Sequence, residues 1–150
     1  MSHLYTQLLY HIVYSTKERQ PWLTAPIRAR LYPYLGGAIR GEGGIELCIG
    51  GIDDHVHILA RLRQDKAVSA VIGAIKANSS GWIHREFLDL SLFAWQAGYA
   101  AFTVSKSQEE RVRKYIEGQE EHHRNKPYQQ ELIAMLDAYE IEYDARYLWE

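Results

Sequence analysis

Cysteine is almost missing from this chain. Cys48 is the single one in 150 residues, which excludes an intramolecular disulfide framework and a cysteine-built zinc finger and suits a reducing cytoplasm. No apolar run is long enough to cross a bilayer. The first residues, up to Lys17, are interrupted by Gln7 and His11 and lack a leading basic segment, so they read as a strand and not a signal peptide. The glycine pairs Gly36-Gly37 and Gly43-Gly44 lack the spacing of a phosphate-binding loop, so no nucleotide cofactor is expected. No serine-histidine-aspartate set with a nucleophile turn is present. Nor is there an excess of one charge: 17 Lys and Arg face 19 Asp and Glu, which excludes a uniformly basic nucleic-acid binder and leaves room only for a local basic groove. There is no linker, repeat or low-complexity stretch. The expectation is one domain over residues 1–150, large enough to bury its own core.

The hydrophobic pattern gives the order of elements. Leu4 to Thr16 is apolar on both parities, as in a central strand. Thr24 caps a helix with Pro26 in its first turn, reaching about Arg40, and Pro33 should kink it or end it early. Ile45 to Ile52 and His55 to Leu62 flank the turn Asp53-Asp54 and form a hairpin. Asp65 caps a helix of roughly twenty residues with Val68, Val71, Ile72 and Ile75 on its apolar face. Phe93 to Val104 reads as a strand broken at Gly98. Ser107 and Glu110 make a capping box that opens a helix to about Asn125. Pro127 opens a last helix to about Asp137. The predicted class is therefore α+β: a ferredoxin-like βαββαβ sandwich, an antiparallel sheet with helices on one face, followed by C-terminal helices.

Two pairs of residues could carry chemistry. In His55-Val56-His57 the strand alternation puts both imidazoles on one face, about 7 Å apart along the strand, with Val56 turned into the core. Two neutral imidazoles can hold a cation and leave positions open for a phosphate oxygen and water; two hydrogen-bonded structural histidines would look the same. Tyr115 and Gln119 are four apart on the next-to-last helix and share a face. A tyrosine hydroxyl can act as a covalent nucleophile and a glutamine carbonyl as a ligand. A phenol of pKa about 10 needs a nearby cation to attack at neutral pH. Equally, Val112, Tyr115, Ile116 and Gln119 follow an ordinary apolar stripe. His122 and His123 continue past Gln119 and could approach a metal or a phosphate. Lys106, Arg111, Arg113, Lys114, Arg124 and Lys126 make this region locally basic, either as a solvated face or as a contact for a DNA backbone. His3, His11 and His84 stand alone and receive no role. Asp53 and Asp54 read as turn residues.

Taken in order, these segments resemble the single-tyrosine HUH transposases of small insertion sequences, including the relatives associated with repetitive extragenic palindromes. The likeness is carried by His55-Val56-His57, by Ile75-Lys76-Ala77-Asn78-Ser79-Ser80 with Trp82-Ile83, and by Trp95-Gln96 with Gly98-Tyr99 and Ala101-Phe102. Arg113-Lys114-Tyr115-Ile116 through Gln119-Glu120-Glu121-His122-His123 and the ending Ile141-Glu142-Tyr143-Asp144 with Arg146-Tyr147 extend it. The resemblance implies a DNA transposase that cleaves and rejoins single-stranded DNA at hairpin-marked ends through a 5′-phosphotyrosine intermediate. Tyr115 would be the nucleophile, and His55, His57 and Gln119 would hold Mg²⁺ or Mn²⁺. It further implies a homodimer, with Lys76, Lys106, Arg111, Arg113, Lys114, His122, His123 and Arg124 as candidate DNA contacts. Gly118 stands where the family often has asparagine, and a glycine inside a helix costs about 1 kcal/mol against alanine. Three other readings stay open: a domesticated relative processing chromosomal palindromes, a hairpin-binding protein without catalysis, and an unrelated ferredoxin-like domain.

Overall fold

The computed structural model describes residues 3–123 and 126–149. Four antiparallel strands lie in the order β2-β3-β1-β4: β1 (Leu9–Ser15), β2 (Ile45–Gly51), β3 (His55–Arg61) and β4 (Ala100–Val104). Helix α1 (Ala25–Gly41) connects β1 to β2, and α2 (Val68–Glu86) connects β3 to β4. After β4 come α3 (Glu109–Glu117), the single turn α4 (Gln119–His122) and α5 (Tyr128–Ala138). This is the expected βαββαβ sandwich.

The two faces of the sheet have separate cores because successive strand side chains alternate. Ile12 and Tyr14 of β1 and Val56, Ile58 and Ala60 of β3 point to one face. There they meet Leu31, Leu35 and Ile39 of α1 and Val71, Ile72 and Ile75 of α2. The other parity faces the C-terminal helices: Leu9, Leu59 and Val104 pack on Ile116, while Val13 and Phe102 pack on Tyr128, Leu132 and Leu136. The histidine strand thus turns Val56 into the first core and both imidazoles toward the second.

Several boundaries differ from the sequence expectation. Strand β1 begins at Leu9 and not at Leu4, because its neighbours stop there: Leu9 sits opposite Arg61 and Val104, the last residues of β3 and β4. Leu4 and Tyr5 are exposed. Pro33 neither ends α1 nor breaks its helical geometry. Its ring lies on the exposed side, and Leu31, Leu35 and Ile39 on either side of it are fully buried. Each such burial is worth about 1.5–3 kcal/mol, together more than the ~3 kcal/mol a mid-helix proline costs. Asp65 does not cap α2: the cap position is Ala67, and Asp65 pairs with Arg63 instead. The segment from Phe93 to Gly98 forms only one isolated bridge, Thr16 to Trp95, before β4 starts at Ala100. Phe93 and Trp95 keep the alternation because both enter the first core, where Trp95 meets Tyr14 edge-on. The Ser107–Glu110 capping box does not form; Lys106–Gln108 is a 3-10 turn and Ser107 Oγ meets Ser105 Oγ. The expected long helix is cut at Gly118 into α3 and α4, and its expected end at Asn125 lies outside the described residues.

Candidate active site

Gly50 of β2 lies opposite His57. A Cβ there would stand 2.4 Å from the carbonyl oxygen of Ile116, so glycine is what lets α3 come down onto the sheet. That approach brings Tyr115 over the histidine strand. The Tyr115 and His57 rings lie edge to face with centroids 5.6 Å apart, and the His55 and His57 rings are 5.1 Å apart. The tyrosine and histidine halves of the expected site thus meet within this chain.

The centre of the cluster is Glu131 of α5, which the sequence reading passed over. Its Oε1 lies 2.9 Å from His57 Nε2 and 3.4 Å from His55 Nε2. Its Oε2 accepts the Tyr115 hydroxyl hydrogen bond and a 3.1 Å bond from Gln119 Nε2, and stands 3.2 Å from His123 Nε2. Gln119 Oε1 sits 3.1 Å from His55 Nε2 and 2.9 Å from His123 Nε2. The second nitrogen of each imidazole is also engaged. His55 Nδ1 meets Asp54 Oδ1 at 2.7 Å, His57 Nδ1 meets His11 Nε2 at 2.8 Å, and His123 Nδ1 meets the Lys126 carbonyl. His55, His57, Gln119 and Glu131 are all at most 1% exposed, so this is a closed polar core in which each group has a partner, as burial demands.

Burial and pairing set the charges. Burial alone would lower His55, but its bonds to Asp54 and Glu131 outweigh that and hold it at about 9. His57 is lowered to about 4, chiefly by burial, and His11 to about 3 by burial and the neighbouring His57. Burial pushes Glu131 up, but hydrogen bonds with His123, His55 and His57 prevail and hold its carboxyl well below the usual carboxylate range. Burial and the bond to Glu131 push the Tyr115 phenol above its ordinary value, so it needs electrostatic help to ionise.

A cavity of 340 Å³ opens beside this cluster, lined by Tyr115, Glu131, His11, His122, Arg111 and Lys126. His122 Nε2 is 3.2 Å from Glu131 Oε2, although not in hydrogen-bond geometry. The other expected DNA contacts are scattered. Lys76 Nζ is committed to the carbonyls of Gln96, Ala97 and Gly98. Lys106 pairs with Glu109, and Arg113 donates to the Leu47 carbonyl. Lys114 is exposed on α3. Arg124 lies outside the described residues.

Glu131, His11 and Asp54 each leave a local signal in the sequence. Glu131 falls in the apolar stripe Tyr128, Leu132 and Leu136 of α5, where an unpaired acid would be costly. His11 is an imidazole inside a central apolar strand. Asp54 is the turn residue beside His55.

Known proteins resemble this chain in sequence and in fold. The family model described as "Transposase IS200 like" matches residues 4–119. The ISDra2 transposase TnpA of Deinococcus radiodurans is 28% identical over 119 residues, covering 75% of this chain and 84% of that protein. A crystal structure of a transposase candidate from Deinococcus radiodurans R1 superposes with TM-score 0.66 at 22% identity, over 79% of this chain and 95% of that one. A REP-associated tyrosine transposase bound to a REP hairpin superposes with TM-score 0.61 at 13% identity, over 82% and 73%. At those identities the two structures speak for the fold, and the family match over most of the chain speaks for descent: this protein belongs to the IS200-like transposase family.

Proposed function

We propose that this chain, acting as one domain over residues 1–150, cleaves and rejoins single-stranded DNA at hairpin-marked ends, with Tyr115 as nucleophile. The observation that carries this reading is the Tyr115 hydroxyl bonded to the carboxylate that also holds His57. Tyr115 Oη attacks the phosphorus of a phosphodiester. The Oη–P bond forms, the bond from phosphorus to the 3′ oxygen breaks, and a 5′-phosphotyrosine link remains. Glu131 Oε2 accepts the phenol hydrogen bond and so orients Oη toward the phosphorus, and the phenol proton passes to solvent as the Oη–P bond forms. The departing oxygen gains a proton from solvent and leaves as a 3′-hydroxyl. A second 3′-hydroxyl reverses the sequence and rejoins the strand, and the covalent link conserves the bond energy so that no nucleotide is consumed.

The donor set fits a cation: imidazole nitrogens and a carboxylate oxygen from His55, His57, His123 and Glu131 all lie within 4.8 Å of one another. Mg²⁺ or Mn²⁺ held by His55, His57 and Gln119 would orient the phosphate and polarise it toward attack. Arg111 and Lys126 on the cavity rim, with Lys114 on the same helix as Tyr115, supply charge for the DNA backbone. Two strand ends must be cut and exchanged, so two tyrosines are required, and a homodimer supplies them. No helix among the described residues is long and apolar enough to cross a membrane, and the proposed place of action is DNA in the cytoplasm.

The test is a denaturing gel of wild type and Tyr115→Phe after incubation with Mn²⁺ and a labelled single-stranded oligonucleotide carrying the gene's flanking palindrome. A covalent band in wild type alone is expected. Hairpin binding without a band in either protein would leave a binding protein and refute the enzyme.

A further inference from the structure

The family match ends at residue 119, yet two of the groups that converge on the histidine pair come later in the chain. We propose that His123 and Glu131 are themselves ligands, completing a centre of three imidazoles and one carboxylate that takes a transition-series divalent ion in preference to Mg²⁺. This rests on the reading of His55 and His57 as metal ligands given above.

Three observations support it. The first is spacing. Ligands about 2.0–2.1 Å from an ion that keeps a further position open for substrate lie roughly 3–4 Å from one another. Glu131 Oε1 stands 2.9 Å from His57 Nε2 and 3.4 Å from His55 Nε2, its Oε2 stands 3.2 Å from His123 Nε2, and donor atoms of all four residues lie within 4.8 Å of one another, so modest side-chain movements of about 1 Å bring them onto one ion.

The second is tautomer control. A ligating imidazole is held by a hydrogen bond at its other nitrogen. All three histidines meet that requirement at Nδ1, through Asp54, His11 and the Lys126 carbonyl. Each Nε2 therefore faces the common centre. For His123 to be merely a surface residue, neither the Lys126 contact nor the 3% exposure of its side chain would be needed.

The third is chain placement. His123 is four residues after Gln119 and bonded to its amide oxygen, so the same helical face presents both. Glu131 comes from α5, which also stacks Tyr128 on His55 with ring centroids 4.4 Å apart. The C-terminal helix therefore seals the centre as well as contributing to it.

The ligand types decide the ion. Mg²⁺ prefers oxygen donors and retains several waters, and Mn²⁺ is likewise suited by carboxylate, carbonyl and water, whereas imidazole-rich sites suit zinc, copper, iron and nickel. Glu131 would also tie the nucleophile to the ion, since its other oxygen holds the Tyr115 hydroxyl.

The experiment is calorimetric titration of metal-free full-length protein with Mn²⁺, Zn²⁺ and Mg²⁺, beside the visible absorption of the Co²⁺ form. Glu131→Gln, which is nearly isosteric, His123→Asn and His57→Ala are compared after circular dichroism shows each to be folded. The expected result is tighter binding of Zn²⁺ than of Mn²⁺ or Mg²⁺. Each of the three variants should weaken that binding by more than the about 10- to 100-fold that loss of a supporting partner costs, with changed Co²⁺ bands in Glu131→Gln and His123→Asn. Binding and spectra unchanged in both of those variants, but lost in His57→Ala, would overturn this inference and leave the two-histidine site standing. No metal binding by wild type would overturn both.

Discussion

Replacing Gly50 by alanine tests whether the sheet and the tyrosine helix are fitted as closely as the geometry says. The added Cβ would lie 2.4 Å from the Ile116 carbonyl oxygen and 2.9 Å from that residue's side chain. Ordinary contact for such a pair is about 3.4 Å, so α3 must retreat by about 1 Å or the strand must buckle, an overpacking that costs about 1–3 kcal/mol. In a chain of this length that corresponds to a fall in Tm of roughly 2–10 °C. The retreat moves Tyr115, one residue before Ile116, by a similar distance, and a displacement of about 1 Å at a reacting atom costs on the order of 100-fold in rate. Gly73, in the interior of α2, is the matched control, because a Cβ added there would meet nothing within 4 Å. Gly73→Ala should stabilise by about 0.5–1 kcal/mol and leave the rate alone. Differential scanning calorimetry and the rate of covalent adduct formation read the two effects. Gly50→Ala with unchanged Tm and rate would refute the claim that close approach at this point builds the site.

Ser79→Ala should destabilise by about 1–3 kcal/mol in urea unfolding, because it leaves the Trp95 indole N–H, which donates to Ser79 Oγ at 2.9 Å, buried without a partner. The metal-free protein should be most stable near pH 6.5. Below that, His57 and His11, lowered to about 4 and 3, stay neutral in the fold while the unfolded chain binds protons, so stability falls as pH drops from 6.5 toward 4. Above it, His55, raised to about 9, still carries its proton in the fold after the unfolded chain has lost it, so its contribution drains away between pH 6.5 and 9. A flat unfolding free energy from pH 4 to 9 would contradict both assignments.

The periodic elements were legible in sequence because their apolar positions are forced by burial. Val71, Ile72 and Ile75 of α2 and Leu31, Leu35 and Ile39 of α1 occupy the core their spacing implies. The errors cluster where tertiary partners decide. Leu4 and Tyr5 have strand-forming side chains but no neighbouring strand to pair with, and Asp65 had a choice between a helix end and Arg63. In the site, His55, His57, Tyr115 and Gln119 announce themselves by spacing within one element. Glu131 and His11 do not, because what matters about them is a contact across 74 or 46 residues of chain, which no local pattern encodes.

Those long-range contacts bear on why the second face of the sheet can hold so many polar groups. An imidazole or a carboxylate buried alone would cost several kcal/mol, and His11, His55, His57, Gln119 and Glu131 are all buried there. The arrangement is tolerable because donors and acceptors are matched one against another: Glu131 takes hydrogen bonds from α3, α4 and β3 at once. Matching of this kind is cooperative, since removing one member strands several others. The carboxylate at its centre rides on α5, beyond the residues that match the family. A change in that helix therefore reaches the tyrosine and both strand histidines without altering any of the four residues by which the site is recognised in sequence.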